Sequence, residues 1–256
     1  MKIVVSKDAK ALGCNAADYI AGLINEAIAA KGEARIILST GASQLTTLEP
    51  LIERDIDWSK VTMFHLDEYV DLPETHIASF RKYLKERFIQ KINLKAAHLV
   101  DGTVEGIAAL TAELRKSPID VGLIGIGENA HIAFNDPPAD FDTKEAYIVV
   151  NLNDTSKMQQ VGEGWFATID DVPKQAVSMT VHQILQCEQI VSCVPYAVKA
   201  NAVRDTLEND KTNLIPATIM KGHKNFALFV DEDSFSKVDE SKIRPAEGVA
   251  YTVERA

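Results

Sequence analysis

The sequence has little cysteine, no long apolar run and no basic block, and each shortage removes a class of protein. Three cysteines, Cys14, Cys187 and Cys193, are too few and too scattered for a disulfide framework, and none belongs to a C-x-x-C pair. They read as reduced thiols. No apolar segment approaches the roughly 18 residues that a membrane helix needs, so no membrane partner is expected. The start, Met1 to Asp8, lacks the longer apolar segment and small-residue cleavage pattern of a signal peptide. A cytoplasmic location is the resulting expectation. Lys and Arg number 27 against 37 Asp and Glu, for a net charge of −10, and they form no cluster interleaved with aromatics. A nucleic-acid partner therefore has no electrostatic footprint, and an anionic substrate would need a local positive pocket. His65 and His76 do not stand at the spacing of a metal motif. No internal repeat, low-complexity tract or linker divides the chain, so residues 1–256 are expected to form a single domain.

What is present is a repeated alternation of strand and helix. Residues 2–6, 34–39, 61–66, 119–126, 147–152, 176–181, 189–194 and 226–231 are apolar and rich in β-branched residues, as buried strands require. Between many of them lie segments with helical spacing. Asp8 is placed to cap the first, which carries Leu12, Ala16, Ile20, Leu23, Ala27 and Ile28 on one face and stops at Gly32. A second runs to about Arg54, a third from Ala78 to Gln90, and a fourth over about 104–116. Strands alternating with helices predict an α/β fold, with a mostly parallel sheet covered by helices on both faces. A polar tail from Asp233 is expected to lie over the surface.

Polar chemistry gathers where these strands end. After 34–39 comes Thr40-Gly41-Ala42-Ser43. A strand, glycine turn and helix can aim free N–H groups at an anion, with the Thr40 and Ser43 hydroxyls adding donors; the same letters also make an ordinary βα turn. After 61–66 come Asp67 and Glu68, which are a general base if burial raises a carboxylate toward neutrality and solvated turn residues otherwise. Arg81, Lys82 and Lys85 read as a solvated helix face. After 119–126, within Gly125-Ile126-Gly127-Glu128-Asn129-Ala130-His131-Ile132-Ala133-Phe134-Asn135-Asp136-Pro137, five polar side chains crowd the end of a strand. Open α/β sheets bind ligands there. Residues 153–172, with aromatics Trp165 and Phe166 beside glycines, read as a lid with exposed rings. Pro195 is placed to open a helix with Lys199 in or near its first turn. A cation there opposes the helix dipole unless an anion binds, or unless the side chain bends away into water.

Four of these segments together resemble the glucosamine-6-phosphate deaminase/isomerase family: Ser39-Thr40-Gly41-Ala42-Ser43, Phe64 to Val70, Gly125 to Pro137, and Pro195 to Ala200. The most specific element is Asp67-Glu68-Tyr69 followed about 60 residues later by the G-x-G-x-x-x-H-I-A-F-N pattern. The resemblance runs over most of the chain and implies a one-domain, Rossmann-like fold. It implies rearrangement of an amino-sugar phosphate with loss of ammonia, without metal or redox cofactor. It assigns to Asp67 the C2 proton and to His131 the ring oxygen. Asn129 and Asp136 stand beside the imidazole; Thr40, Gly41, Ala42, Ser43, Lys199 and Glu68 fall to substrate and phosphate binding. A homo-oligomer is admitted, since family members occur as monomers and as larger assemblies. Three departures stand out. The family's D-G-H is Asn129-Ala130-His131 here, its E-P is Asp136-Pro137, and no arginine lies between Arg115 and Arg204, where the family has a lid arginine on the phosphate. Lys157 and Lys174 are the cations left to replace it. Two other readings compete, a 6-phosphogluconolactonase-like hydrolase and a non-catalytic sugar-phosphate sensor.

Overall fold

The computed structural model describes residues 1–256. The chain opens with β1 (Lys2–Ser6), α1 (Ala9–Lys31), β2 (Ala34–Leu38), α2 (Leu45–Ile52) and β3 (Val61–His65). Asp8 caps α1 as its sequence position predicts, its carboxylate accepting from the Ala11 N–H at 2.7 Å, and Gly32 ends the helix in the left-handed region at φ 81°. Next come β4 (Asp67–Tyr69), α3 (Phe80–Arg87), β5 (Ala96–His98), α4 (Gly106–Leu114) and β6 (Val121–Leu123). The second half holds β7 (Tyr147–Asn151), α5 (Asp154–Gly162), β8 (Gln175–Met179), α6 (Val181–Ile184) and β9 (Gln189–Val194). It closes with α7 (Ala200–Glu208), β10 (Phe226–Asp231), α8 (Glu232–Phe235) and β11 (Thr252–Arg255). No helix is long and apolar enough to cross a membrane.

Eight strands form one parallel sheet in the order β11-β1-β10-β9-β6-β2-β3-β5. Its strands are apolar on both faces because both are covered. Ile3, Val5 and Ile37 enter one core, while Val4, Ile36 and Leu38 enter the other. After β2 the chain moves outward through β3 to β5; after β6 it moves the other way, to β9 and β10. That reversal opens a crevice between the carboxyl ends of β2 and β6, the ligand-binding position of such sheets.

Several expectations need correction. Asp67–Tyr69 is no solvated turn: it is a strand, antiparallel to β8, in a second, three-stranded sheet ordered β4-β8-β7. The strands expected at 147–152 and 176–181 leave the parallel sheet for this small one. Apolar letters mark burial but not which sheet receives them. The strand expected over 119–126 keeps only Val121–Leu123 in its ladder, and the residues that follow, Gly125 to Glu128, line the crevice. Pro195 does not open a helix: Tyr196 takes φ 80°, one 3-10 turn spans Ala197–Lys199, and Lys199 precedes α7. The tail from Asp233 ends at the surface, where it adds an edge strand that the sequence reading did not foresee: β11 pairs in parallel with β1 from Lys2↔Thr252 to Val5↔Arg255. Its polar letters are those of an exposed edge strand.

Candidate active site

A cavity of about 200 Å³ occupies the crevice. One end is made by the turn after β2. Gly41 adopts φ 115°, which only glycine takes without strain, and the chain then makes a 3-10 turn over Ala42–Gln44 before α2. The Gly41 carbonyl is turned aside, accepting from the Tyr83 hydroxyl at 2.9 Å and from the Gln44 N–H at 3.0 Å. Gln44 reaches across to donate to the Cys193 carbonyl at 3.2 Å, which pins the turn to β9. Thr40, Gly41, Ala42 and Ser43 all line the cavity. Lys199 lines it too, only 6% exposed rather than bent into water. Burial depresses its pKa, while the Glu163 and Glu128 carboxylates push the other way.

Another part of the site holds Asp67 and His131. Asp67 lines the cavity and is buried; desolvation first, and the Glu68 charge second, raise its pKa to about 8. Glu68 does not face the cavity. It is wholly buried and accepts from the Tyr69 N–H at 2.9 Å, the Ser79 hydroxyl at 2.9 Å and the Phe80 and Arg81 N–H groups at 3.3 and 2.8 Å. The Arg81 guanidinium adds a fifth donor at 3.2 Å. Glu68 thus fastens β4 to the start of α3, and its expected place among substrate-binding residues is corrected by these saturated contacts. Arg81 is corrected as well. Its side chain is buried as the Glu68 counter-ion rather than solvated, which no helical spacing discloses.

His131 stands just behind the cavity wall. Its ring lies against Gly127, which does line the cavity, so closely that a Cβ on Gly127 would come within 2.1 Å of the imidazole Cε1. The loop is held by the Gly127 N–H donating to the His131 carbonyl at 2.9 Å, and Ala130 and Ala133 sit at φ 61° and 51°, strained for residues with a Cβ. Imidazole Nδ1 lies 2.5 Å from Asn129 Oδ1 and 3.3 Å from Asp136 Oδ1. Both oxygens only accept, so Nδ1 carries the proton and Nε2 keeps its lone pair. Asp136 Oδ1 is itself held by Asn129 Nδ2 at 3.4 Å and the Ser156 hydroxyl at 2.5 Å, which ties the trio to α5. Burial lowers the His131 pKa to about 4; Asp136 and then Glu163 oppose the shift, while Lys199 adds to it. The ring is therefore neutral at pH 7.

The expected lid, 153–172, contains α5 and the turn after it, and Gln159, Gln160, Glu163 and Trp165 line the cavity. Phe166 is not exposed. It packs on Tyr69 and His76 with ring centroids 5.6 and 5.2 Å away, in a third core beneath the lid. Neither Lys157 nor Lys174 is on the cavity wall. Tyr83, Gln44 and Glu163 were missed by the sequence reading. Tyr83 reads as a helix residue and Gln44 as the end of the glycine turn, and only the glycines on either side of Glu163 could have marked it. No cluster of three or more His, Cys, Asp or Glu side chains is arranged to hold a metal ion.

Comparison with known proteins gives a consistent picture. A family model described as glucosamine-6-phosphate isomerases/6-phosphogluconolactonase matches residues 7–228. A glucosamine-6-phosphate deaminase of Lactobacillus delbrueckii subsp. bulgaricus is 30% identical over 240 residues, covering 92% of this chain and 99% of the relative. One from Streptococcus uberis is 32% identical over 221 residues, covering 85% and 92%. Among solved structures, a monomeric glucosamine-6-phosphate deaminase superposes with TM-score 0.85 at 28% identity, covering 93% of this chain and all of that one. A 6-phosphogluconolactonase of Shewanella baltica gives TM-score 0.73 at 22% identity, over 90% and 98% of the two chains, a likeness of fold.

Proposed function

The chain belongs to the glucosamine-6-phosphate isomerase/6-phosphogluconolactonase family, and from that premise we propose that it is an amino-sugar-phosphate deaminase. It converts glucosamine 6-phosphate, or a close analogue, and water into fructose 6-phosphate and ammonia. The observation that carries this reading is Asp67, a buried carboxylate on the cavity wall facing the same space as the Thr40–Ser43 turn and Lys199. Lactone hydrolysis has no carbon-bound proton to remove. Aldose-to-ketose rearrangement does, and it needs one group to take the C2 proton and return it to the adjacent C1. A carboxyl group with its pKa raised to about 8 is suited to both, since transfer is most efficient when the pKa lies near the working pH.

The remaining residues divide the work. The 6-phosphate lies against the turn N–H groups, the Thr40 and Ser43 hydroxyls and the Lys199 ammonium. His131, neutral with Nδ1–H held by Asn129 and Asp136, moves a proton to or from the ring oxygen through Nε2 when the pyranose opens. Asp67 then converts the open-chain aldose to the enolamine and protonates C1. The resulting C2 imine takes up water and releases ammonia.

An ammonia-release assay on glucosamine, galactosamine and mannosamine, each with and without a 6-phosphate, tests the proposal. Ammonia from a 6-phosphate, at least about 100-fold faster than from the free sugar, is expected from a charge-assisted phosphate site. Equal rates on both would remove the roles of Thr40, Ser43 and Lys199. Hydrolysis of 6-phosphogluconolactone without any ammonia release would replace the deaminase reading.

A further inference from the structure

The charges on the cavity wall do not match a purely anionic ligand. Lys199 is the one cation, against the carboxylates of Glu128 and Glu163, with Asp67 a third carboxyl group whose pKa is raised to about 8. Lys199 and the Thr40–Ser43 turn account for the phosphate, and Asp67 for the proton. Glu163 has no task in that scheme, yet it is held in place with care. Its Oε1 accepts from Gln159 Nε2 at 2.8 Å and its Oε2 from the Trp165 indole N–H at 3.0 Å, both partners lining the cavity beside it. Neutral donors fix a carboxylate without cancelling its charge, and each oxygen retains a free lone pair. Glu163 is the exposed C-cap residue of α5, between Gly162 and Gly164, the latter at φ 81°, so the helix end and the turn that follows it carry the carboxylate to the cavity wall. Its field reaches Tyr69, His131 and Lys199, the last of which lines the cavity.

We propose that Glu163 is a specificity residue that recognises the cationic amino group of the substrate. The lid then reads the sugar's amine instead of gripping its phosphate. This rests on the deaminase reading and deepens it. An amino-sugar 6-phosphate carries opposite charges at its two ends and complements a wall with one ammonium and several carboxylates. A neutral-sugar 6-phosphate or a lactone phosphate carries only negative charge and meets repulsion there. An ammonium at C2 held by Glu163 also makes the neighbouring C–H more acidic, which favours its transfer to Asp67.

The test uses two ligands that cannot react, 2-amino-2-deoxyglucitol 6-phosphate and glucitol 6-phosphate, titrated calorimetrically into wild type, Glu163→Gln and Glu163→Asp. The wild type is expected to prefer the amino ligand by about 30-fold, the range of a charge-assisted hydrogen bond. Glu163→Gln should erase the preference by weakening the amino ligand alone, and Glu163→Asp should restore part of it. The inference is overturned if the wild type shows no preference or if the preference survives in Glu163→Gln. It is equally overturned if that variant changes both affinities by one factor, since a structural role or simple repulsion of phosphate would do so. Failures of the two readings are separable. A preference for the amino ligand without ammonia release from glucosamine 6-phosphate sinks the deaminase reading and leaves amine recognition standing; ammonia release without preference does the reverse.

Discussion

Two parts of the site are built on opposite principles. The Thr40–Ser43 part is made of backbone: a glycine with positive φ, a 3-10 turn, and hydrogen bonds from Tyr83 and Gln44 that reach the main chain of the turn and of β9. The cation that serves it is Lys199, on which the Glu163 and Glu128 carboxylates also act. The Asp67 and His131 part is made of titratable side chains taken out of water, one raised to about 8 and the other lowered to about 4. Holding an anion needs donors that are already aligned. Moving a proton uses groups whose charged forms are destabilised: Asp67 is brought near neutrality, and His131 is kept neutral with a free lone pair. The first part should tolerate mutation with losses in affinity, the second with losses in rate.

The largest effect is expected at Asp67. Asp67→Asn should lower kcat by about a thousand-fold or more with KM little changed, because it removes the only group assigned to the carbon proton. The same variant should be more stable. The folded-state pKa of Asp67 is raised above its unfolded value, so its contribution to stability is fully present below about pH 4 and is lost as pH rises toward 8. Thermal melts at pH 8 should place Asp67→Asn above wild type by about 1–3 kcal/mol, a gap that closes by pH 4. Gain of stability with loss of rate would set this part of the site apart from the phosphate-binding part.

Gly127→Ala comes next. The new methyl group occupies the space of the His131 ring, so kcat should fall about 100-fold through displacement of the imidazole, while binding of inorganic phosphate at the Thr40–Ser43 turn is unaffected. Lys199→Met should raise KM for the 6-phosphate substrate about 30-fold and leave kcat within a few-fold, with no effect on unphosphorylated glucosamine. An equal loss of kcat in Lys199→Met would erase the proposed division. The smallest effect belongs to Asn129→Asp. It places a second carboxylate on His131 Nδ1 beside Asp136, and it should move the acidic limb of the pH–rate profile up from about 4 by about one unit. Turnover at pH 7 should change less than about tenfold, because the ring is still mostly neutral there.

How far the sequence reveals each part follows from the same contrast. The strand, turn and helix around Thr40–Ser43 are local, and contiguous letters disclose them. So are the Asp8 cap, Gly32 and the strands that became the parallel sheet. Asp67 and Glu68 are adjacent letters with different fates, one on the cavity wall and the other saturated by Ser79, Phe80 and Arg81 eleven to thirteen residues on. Nothing in the adjacent letters separates them, because Glu68 is saturated only once the chain folds back to set the start of α3 against β4. Arg81 was hidden for the same reason. A charged letter on a polar stretch reads as solvated until tertiary structure brings a wall against it.

The most direct test of the central claim, that Asp67 carries the carbon proton, is to run glucosamine 6-phosphate to partial conversion in deuterium oxide with wild type and Asp67→Asn. Residual substrate at C2 and product at C1 are then read for deuterium. The account predicts deuterium at both positions with wild type, and C2 exchange falling with turnover, by about a thousand-fold, in Asp67→Asn. C2 exchange at the wild-type rate in that variant would contradict it.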